Sequence, residues 1–331
     1  MTPRVSFIVP VRNDAVRLAK CLDSIRANTC APGDIEIVVV DNGSIDGSTE
    51  VARSFGARVQ AVHNGRVSAL RNQGARQAAG DVLAFVDADH EIASGWVAAA
   101  LETLDLDGAG AAGALCRAPA DGTWVQRAYG HLRGRARGRH DVEWLGSGNM
   151  AVWRRTFDAV GGFDTSLETC EDVDLCYRIR STGLRVVSDD RLDNVHHGDP
   201  RTLRELFKSE LWRGRDNLRV SFRGPMSWQG LPSAVIPVVD AVMVGIAPAG
   251  LLAAWAGWRP GLAIAATASG VILGAAALKV IRAVVRNRSF RPVDMLQTFV
   301  VACVYDLGRA LALVTRVPHR GARPSAAPAT S

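Results

Sequence analysis

The sequence has few cysteines and few aromatic residues. Six cysteines are scattered over 331 residues, and no Cys-x-x-Cys pair occurs. A zinc site or a disulfide scaffold is therefore not indicated, and we expect reduced, mostly buried thiols. Aromatic residues make up 6% of the chain, and no basic patch is interleaved with them. This pattern argues against a nucleic-acid partner.

Long apolar runs are missing from the first 230 residues, which are mixed and charged, whereas the chain is strongly apolar from Leu231 onward. The amino terminus indicates a first strand rather than a signal peptide, because its apolar run is short and charges follow it. The net charge is +6, and arginines cluster in 127–139, 201–223 and 279–291. Basic clusters beside apolar segments favour an anionic membrane surface as a partner.

Short apolar runs alternate with amphipathic segments in the first half of the chain. We expect buried strands at 4–11, 35–40, 57–62, 82–86 and 110–116, with helices between them. This alternation is typical of an α/β fold with a mostly parallel, Rossmann-like sheet and helices on both faces. Residues 127–140 are basic and glycine-rich, and indicate either a solvated surface or a lid or membrane-facing patch.

Two carboxylates follow the fourth predicted strand. Asp87 and Asp89 come directly after the apolar run 82–86. Ligands of open α/β sheets bind beyond the carboxyl ends of such strands, so these side chains are expected at a crevice. Clustered carboxylates are costly unless a cation neutralises them, and a divalent ion that carries a diphosphate would do so.

Four motifs, each weak alone, occur in one order: Asp41-Asn42-Gly43-Ser44 with Asp46-Gly47-Ser48, Arg71-Asn72-Gln73-Gly74, Asp87-Ala88-Asp89, and Glu171-Asp172-Val173-Asp174. In this order and spacing they resemble the family-2 inverting glycosyltransferases with the GT-A fold, of the bacterial membrane-associated type. The resemblance covers about residues 4–220. It implies transfer of a sugar from a nucleotide-diphospho-sugar to an acceptor hydroxyl, with inversion at the anomeric carbon.

The resemblance implies a nucleotide site built from Pro10, Arg12, Asp41, Asn42, Arg71 and Asp87. Asp41 matches the residue that hydrogen-bonds the base. Asn42 stands where the family often has a second Asp, which weakens the expectation of a charged pair. Arg71 is expected near the phosphates or as a brace for Asp87, which approaches the ribose.

The resemblance also implies a Mn²⁺ or Mg²⁺ ion. Asp89 is expected to be the metal ligand proper, with Asp87 beside it. A histidine from His196-His197 could complete the site, and we favour His196. The alternative for this histidine pair is a polar turn before a helix.

The acidic helix start is expected to carry the catalytic base. By resemblance, Asp172 takes the proton from the acceptor hydroxyl, and Glu171 is a second candidate or a brace. Acidic residues in a first helical turn also suit the helix dipole, which is the purely structural interpretation.

Five residues are expected to line the acceptor or sugar pocket: Gly148, Asn149, Trp153, Trp212 and Arg213. Processive relatives carry a Gln-x-x-Arg-Trp motif near the position of Trp212-Arg213. That glutamine is missing from the sequence, which disfavours a processive polymer synthase.

The apolar carboxyl-terminal part predicts membrane spans at about 231–258 and 261–278. The stretch 293–314 is either a third span or a helix in the interface, and we favour a membrane-embedded third helix. Basic flanks predict that the catalytic domain, residues 1–225, faces the cytoplasm and that 231–315 forms the membrane segment. Residues 316–331 are expected to be disordered.

Together these features predict a membrane-anchored glycosyltransferase with a lipid-linked or membrane-proximal acceptor, as in surface polysaccharide or glycolipid assembly. Two alternatives stay open. One is a polyprenyl-phosphate glycosyl transferase, whose phosphate acceptor needs no general base. The other is a non-catalytic protein that keeps the GT-A fold as a scaffold.

Overall fold

A computed structural model of the chain describes residues 4–28, 34–134, 137–223, 230–286 and 290–315. The strands, in chain order, are β1 (Val5–Val11), β2 (Ile35–Asp41), β3 (Arg58–Ala61), β4 (Val82–Val86), β5 (His90–Ile92), β6 (Ala109–Gly113), β7 (Arg139–Asp141), β8 (Asn149–Trp153), β9 (Arg185–Asp189) and β10 (Asn194–His196). The helices are α1 (Ala15–Arg26), α2 (Ser48–Ser54), α3 (Val67–Gln77), α4 (Trp96–Leu104), α5 (Trp124–Arg133), α6 (Arg154–Ala159), α7 (Glu171–Ser181), α8 (Leu203–Arg213), α9 (Asn217–Ser221), α10 (Leu231–Trp255), α11 (Pro260–Arg286) and α12 (Pro292–Ala312).

The main sheet has the strand order β3-β2-β1-β4-β8-β6-β9-β7, and β5 pairs separately with β10. Strands β1 to β4 run parallel to one another, as do β6 and β9. Strand β8 lies antiparallel between β4 and β6, so that Asn149 stands opposite Val86 and Trp153 opposite Val82. The expected mostly parallel sheet is confirmed, with β8 antiparallel inside it and β7 antiparallel to β9 at its edge.

The sheet is buried on both faces, as its apolar strands require. On one face, α1 and α4 pack against inward-pointing residues such as Phe7 and Val9. On the other face, α3 and α7 pack against residues such as Ile8 and Phe85. Because side chains alternate along a strand, neighbouring residues of β1 serve different cores.

The structure shortens one predicted strand and shows how two helices start. The strand expected at 110–116 ends at Gly113. The helix expected between the strands at 82–86 and 110–116 starts at Trp96 and has no side-chain cap. The basic segment 127–140 contains the end of α5, which Thr123 starts through a capping box with Gln126.

The carboxyl-terminal helices α10, α11 and α12 are each long and apolar enough to cross a membrane. They overlap the expected spans, although α10 ends at Trp255, α12 ends at Ala312, and α11 continues beyond 278 to Arg286. The predicted disordered tail, 316–331, lies outside the described residues.

Candidate active site

The carboxyl edge of the sheet gathers the predicted motifs. Strands β1, β2 and β4 end at this edge, and antiparallel β8 begins there. Asp41, Asp87 and Gly148 therefore come to one side of the sheet, as the parallel topology requires. Helix α7 brings its amino-terminal acidic residues to the same side.

Asp89, His90 and His196 form one cluster. A possible ligand atom from each lies within 4.8 Å of the others. Nε2 of His196 is 3.3 Å and Nε2 of His90 is 3.7 Å from a carboxylate oxygen of Asp89. Strands β5 and β10 pair in a register that sets His90 opposite His196. The pairing of two short strands therefore brings together histidines that are far apart in sequence.

A second set of polar groups orients both imidazoles. Nδ1 of His196 lies 2.9 Å from Oδ1 of Asp199, which is buried and also paired with Arg133. Nδ1 of His90 lies 2.6 Å from the side-chain amide nitrogen of Asn194. Both rings thus direct Nε2 towards Asp89. Partners behind ligating histidines are the usual arrangement of protein metal sites.

The charges in this cluster are strongly coupled. Burial alone would lower the pKa of the His196 imidazole, but the carboxylates of Asp89 and Asp199 raise it to about 9. Burial would raise the pKa of Asp89, but His196, His90 and Arg17 hold it well below its usual range. The cluster therefore keeps Asp89 ionised.

The space in front of this cluster fits a metal ion. A Cβ atom at Gly148 would lie 2.8 Å from both Oδ2 of Asp87 and Cε1 of His90, and one at Gly198 would lie 2.9 Å from Nε2 of His196. Glycine at both positions keeps the donor atoms clear. One carboxylate and two oriented imidazoles are a suitable donor set for a divalent ion.

Arg71 connects the metal side of the site to the acidic helix start. It is 2% exposed, and its Nη2 donates to Oδ1 of Asp87 at 2.6 Å. Its Nη1 donates to Oε1 of Glu171 at 2.8 Å. The expected brace for Asp87 is therefore present. Asp87, which was also predicted as a metal ligand, is absent from the ligand cluster found among the described residues, and its Oδ1 is bound by this guanidinium.

Glu171 and Asp172 share a low-polarity environment at the start of α7. Burial, and then the charge of Asp172, raise the pKa of Glu171 to about 7, although Arg71 opposes this. Burial also raises the pKa of Asp172. Oδ2 of Asp172 accepts from the backbone N–H of Ser147 at 3.4 Å, in the loop that precedes β8. Glu171 is bound by Arg71, whereas Asp172 faces the loop before β8, which also carries Gly148.

The remaining predicted nucleotide residues lie at the ends of β1 and β2. Asp41 is buried and accepts from the backbone N–H of Ser44 at 3.2 Å. Asn42 exchanges two 3.0 Å hydrogen bonds with the backbone of Gly65, which joins the loop after β2 to the loop after β3. Pro10 is buried in β1, and Arg12 is exposed. Asn42 thus has a structural contact, and Asp41 and Arg12 flank the crevice.

Two residues predicted for the acceptor pocket lie elsewhere. Trp153 stands opposite Val82, at the far end of β4 from Asp87, and its Nε1 donates to the carbonyl of Leu104. Asn149 is fully buried and bonds Trp96, Ala114 and Leu192. Both predictions are corrected. The antiparallel direction of β8 places Trp153 at the end of the strand away from the site. The side chain of Asn149 makes all its hydrogen bonds to buried groups within the fold.

The other three pocket predictions have different placements. Gly148 lies against Asp87 and His90. Trp212 is half-buried on α8. Nη1 of Arg213 donates to the hydroxyl of Tyr129 at 2.7 Å, in a cluster that joins α8 to α5. The structure therefore places Gly148 in the site and engages Arg213 in a helix contact.

Sequence reasoning missed His90 and Asp199 as members of the site. His90 directly follows Asp89, and Asp199 follows His196 by three positions, so both were adjacent to predicted ligands. Closeness in sequence to a predicted metal ligand was the only signal that could have indicated these two residues. The pairing of β5 with β10 was needed to show that these neighbours face the same point.

Comparison with known proteins agrees with this geometry. Residues 6–159 match the family model "Glycosyl transferase family 2". The chain is 35% identical over 113 residues to the glycosyltransferase AglE of Haloferax volcanii, covering 32% of this chain and 37% of that protein. It is 26% identical over 259 residues to the succinoglycan biosynthesis protein ExoA of Rhizobium meliloti, covering 72% of this chain and 78% of that protein.

The fold is also similar to a solved structure, the mannosyltransferase PcManGT from Pyrobaculum calidifontis in complex with GDP-Man and Mn²⁺. The TM-score is 0.62 at 21% identity, and the match covers 94% of this chain and 88% of that one. Residues 6–159 of this chain are therefore similar to glycosyltransferase family 2, and the chain has the GT-A fold. It spans 24%, 37% and 28% of the lengths of three curated relatives that it matches.

Proposed function

We propose that this protein transfers a sugar from a nucleotide-diphospho-sugar to an acceptor, with the help of a divalent ion. The observation that carries the proposal is the Asp89–His90–His196 cluster, joined through Asp87 and Arg71 to the acidic start of α7. The metal site and the acidic helix start lie on either side of the Arg71 guanidinium. A metal site suits a diphosphate leaving group, and a base suits an attacking nucleophile.

Asp89, His90 and His196 would hold the metal ion. When bound, the ion offsets the charge that develops on the nucleoside diphosphate as it leaves. Two imidazoles in the ligand set favour a transition ion such as Mn²⁺ over Mg²⁺, which prefers oxygen ligands. The Mn²⁺ and GDP-Man of the mannosyltransferase with this fold support that choice.

Asp172 is proposed as the general base, and Glu171 as the group that positions it. Arg71 already binds Glu171, so Asp172 is the carboxylate left to take a proton. Its raised pKa brings it nearer to neutrality, where a base can both accept and release a proton. Attack from the face opposite to the leaving diphosphate is a single displacement, which inverts the anomeric carbon.

We propose a membrane-proximal, lipid-linked acceptor in surface polysaccharide or glycolipid assembly. The helices α10 and α11 support membrane anchoring, and basic residues flanking them support a cytoplasmic catalytic domain of residues 1–225. The relative ExoA, by name a succinoglycan biosynthesis protein, supports the setting.

A cavity at the end of α12 supports a phosphate-bearing acceptor. It has a volume of about 490 Å³, and Arg66, Arg215 and Arg219 line it together with the residues that follow α12. Nη1 of Arg215 donates to Glu168 at 2.7 Å, whereas its buried Nε has no hydrogen-bond partner among the described residues. Glu168, another lining residue, lies three positions before Glu171. This keeps polyprenyl phosphate open as the acceptor group.

Ligand binding by the purified full chain tests the donor side of the proposal. UDP, GDP and TDP would each be added with Mn²⁺ or Mg²⁺, and thermal unfolding followed for the parent and for Asp89→Ala. A ligand that binds only the folded state raises the melting temperature. We expect one nucleotide to stabilise the parent only with metal, and Asp89→Ala to lose the effect. Absence of any shift in the parent would favour the scaffold alternative.

A further inference from the structure

Helix α12 rests on the catalytic domain at both of its ends. Just before its start, the ring of Phe290 lies 4.6 Å from the ring of His131 on α5. At its end, a Cβ atom at Gly214, directly after α8, would lie 2.6 Å from the Cβ atom of Ala312. The helix therefore runs along the domain rather than away from it.

The middle of α12 is also part of the catalytic domain. Val301 is fully buried and shares a small core with Val125 and Leu206, from α5 and α8. A Cβ atom at Gly308 would lie 2.8 Å from the Cβ atom of Glu210, so the two helices cross closely there. Beside this crossing, Arg309 donates to Glu210 at 2.6 Å. Contact is thus continuous over the length of the helix.

These contacts conflict with an upright third span. The 21 residues of α12 cover about 30 Å at ~1.5 Å per residue, which is the thickness of the hydrocarbon core. An upright α12 would pull α5 and α8 through the bilayer with it. Both belong to a domain with loops and open strand edges, which hydrocarbon does not accept.

The opposite side of α12 crosses the hairpin of α10 and α11 near its base. Asp306 pairs with Lys279 of α11, which lies seven positions before the end of that helix at Arg286. Arg286 itself donates to the backbone carbonyl of Arg133 in the catalytic domain at 3.0 Å. Lys279 is therefore at the domain end of the hairpin, and α12 meets the hairpin at that level.

An apolar stripe remains exposed on α12. Val293, Leu296 and Leu307 are 48%, 64% and 37% exposed, and their spacing puts them on one face of the helix. Helix α11, which packs against α12, also exposes apolar side chains, including Leu278 and Ile281. An apolar surface next to spanning helices has a lipid bilayer as its partner.

We propose that α12 lies in the plane of the membrane interface instead of crossing the bilayer. The catalytic domain then sits flat on the membrane through α5, α8 and α12, and only α10 and α11 cross. The chain after α12 emerges on the same side as the catalytic domain. The arginine-lined cavity at the end of α12 consequently opens at the level of the lipid headgroups.

Reporter fusions to the full chain test the topology in a bacterial host. Fluorescent protein at the amino terminus locates the catalytic domain. Fluorescent protein or alkaline phosphatase is then placed after Ser331, and phosphatase in the hairpin link at Gly257. We expect the two termini on one side and Gly257 on the other. Termini on opposite sides, or Gly257 on the same side as the domain, would overturn the proposal.

The depth of α12 gives a second, independent measurement. Leu296→Trp and Leu307→Trp would be compared with the parent in bilayers that carry bromine at shallow or deep acyl positions. Leu273→Trp, in the middle of α11, is the control for a position deep in the bilayer. An in-plane helix predicts added fluorescence that shallow bromine quenches equally in both variants. The residues are eleven positions apart, about 16 Å along the helix, so an upright helix would give different depths. Different depths would contradict the proposal.

Discussion

The guanidinium of Arg71 donates to the carboxylate of Glu171 at 2.8 Å, from the interior of α3 to the first residue of α7. The same guanidinium binds Asp87 at 2.6 Å. Arg71 therefore connects Asp87, beside the metal cluster, to Glu171, at the acidic start of α7. The planar guanidinium can donate to two carboxylates at a fixed spacing.

Arg71→Lys is therefore expected to impair catalysis despite keeping the charge. An ammonium group cannot reproduce both bonds, and the carboxylates would shift relative to each other. We expect kcat/KM to fall about 100-fold, as small misplacements of reacting groups do. Steady-state transfer assays would measure this, with Arg76→Lys, an exposed arginine of the same helix, as the matched control. Equal activities of the two variants would rule out the bridging role.

Asp172→Asn separates base catalysis from binding. Loss of a general base is expected to lower kcat by about 10²–10⁴-fold, with nucleotide and Mn²⁺ affinity unchanged. The control is Asp158→Asn, an exposed acid on α6. A variant that keeps much of its rate would point to a phosphate acceptor, which needs no base. Assays with hydroxyl and polyprenyl-phosphate acceptors in parallel would then identify the acceptor group.

The acidic pair predicts the pH dependence of the reaction. Burial and the charge of Asp172 raise the pKa of Glu171 to about 7, so the pair takes up a proton as the pH falls through that value. We expect kcat/KM to decline below about pH 7. In Glu171→Gln the neighbouring charge is removed, so the decline should move to lower pH. A decline that stays in place would show that another group controls it.

The same shift predicts a change of stability with pH. The pKa of Glu171 rises from 4.5 in a freely hydrated carboxyl to about 7 in the fold, so the fold favours the neutral form. Its stabilising contribution is complete below pH 4.5 and is lost as the pH rises through 7. Thermal unfolding between pH 4.5 and 8 should show less of this loss in Glu171→Gln than in the parent.

Asp199→Asn tests the support behind the metal cluster. Asp199 meets Nδ1 of His196, the nitrogen that faces away from Asp89. Loss of such a partner typically lowers metal affinity by about 10–100-fold. Titration of Mn²⁺ followed by electron paramagnetic resonance would measure this without turnover. The control is His197→Gln, because His197 meets Glu91 instead. Unchanged affinity in Asp199→Asn would contradict the assignment of His196 as a ligand.

The ion pair of Glu210 and Arg309 predicts how firmly α12 is held. Glu210 is fully buried and also accepts from the hydroxyl of Tyr129 at 2.9 Å. Arg309→Met would leave Arg213, at 3.3 Å, as the remaining ion-pair partner of Glu210, so the loss should stay below the ~3–5 kcal/mol of a fully unpaired buried charge. The double variant Glu210→Leu with Arg309→Met should recover most of this loss. Thermal unfolding in one detergent would compare the stabilities of the parent, the two single variants and the double variant. If the two single losses of stability simply add in the double variant, the coupling is disproved.

Local pattern was enough to predict much of the architecture. The strands at 82–86 and 35–40 follow from short apolar runs, and the apolar hairpin follows from run length. Because parallel strands end at one edge, Asp41, Asp87 and Asp89 could be placed near each other from the sequence. The order of acidic motifs also indicated the family whose model matches residues 6–159.

Other features depended on contacts that no local pattern contains. The choice of His196 over His197 follows from its register opposite His90, which lies 106 positions earlier. The antiparallel direction of β8 places Trp153 outside the predicted pocket. The side chain of Asn149 donates hydrogen bonds to the backbone carbonyls of Ala114 and Leu192, which lie far away in sequence.

The sequence by itself determined which segments are apolar, which carry carboxylates and in what order they come. Hydrophobic burial and strand periodicity act over a few residues, so they are readable along the chain. Tertiary structure alone decided which ring nitrogens face Asp89, which carboxylate Arg71 leaves free, and that α12 lies along the catalytic domain. Those outcomes depend on strand register and helix packing, in which the partner of each residue is a hundred or so positions away.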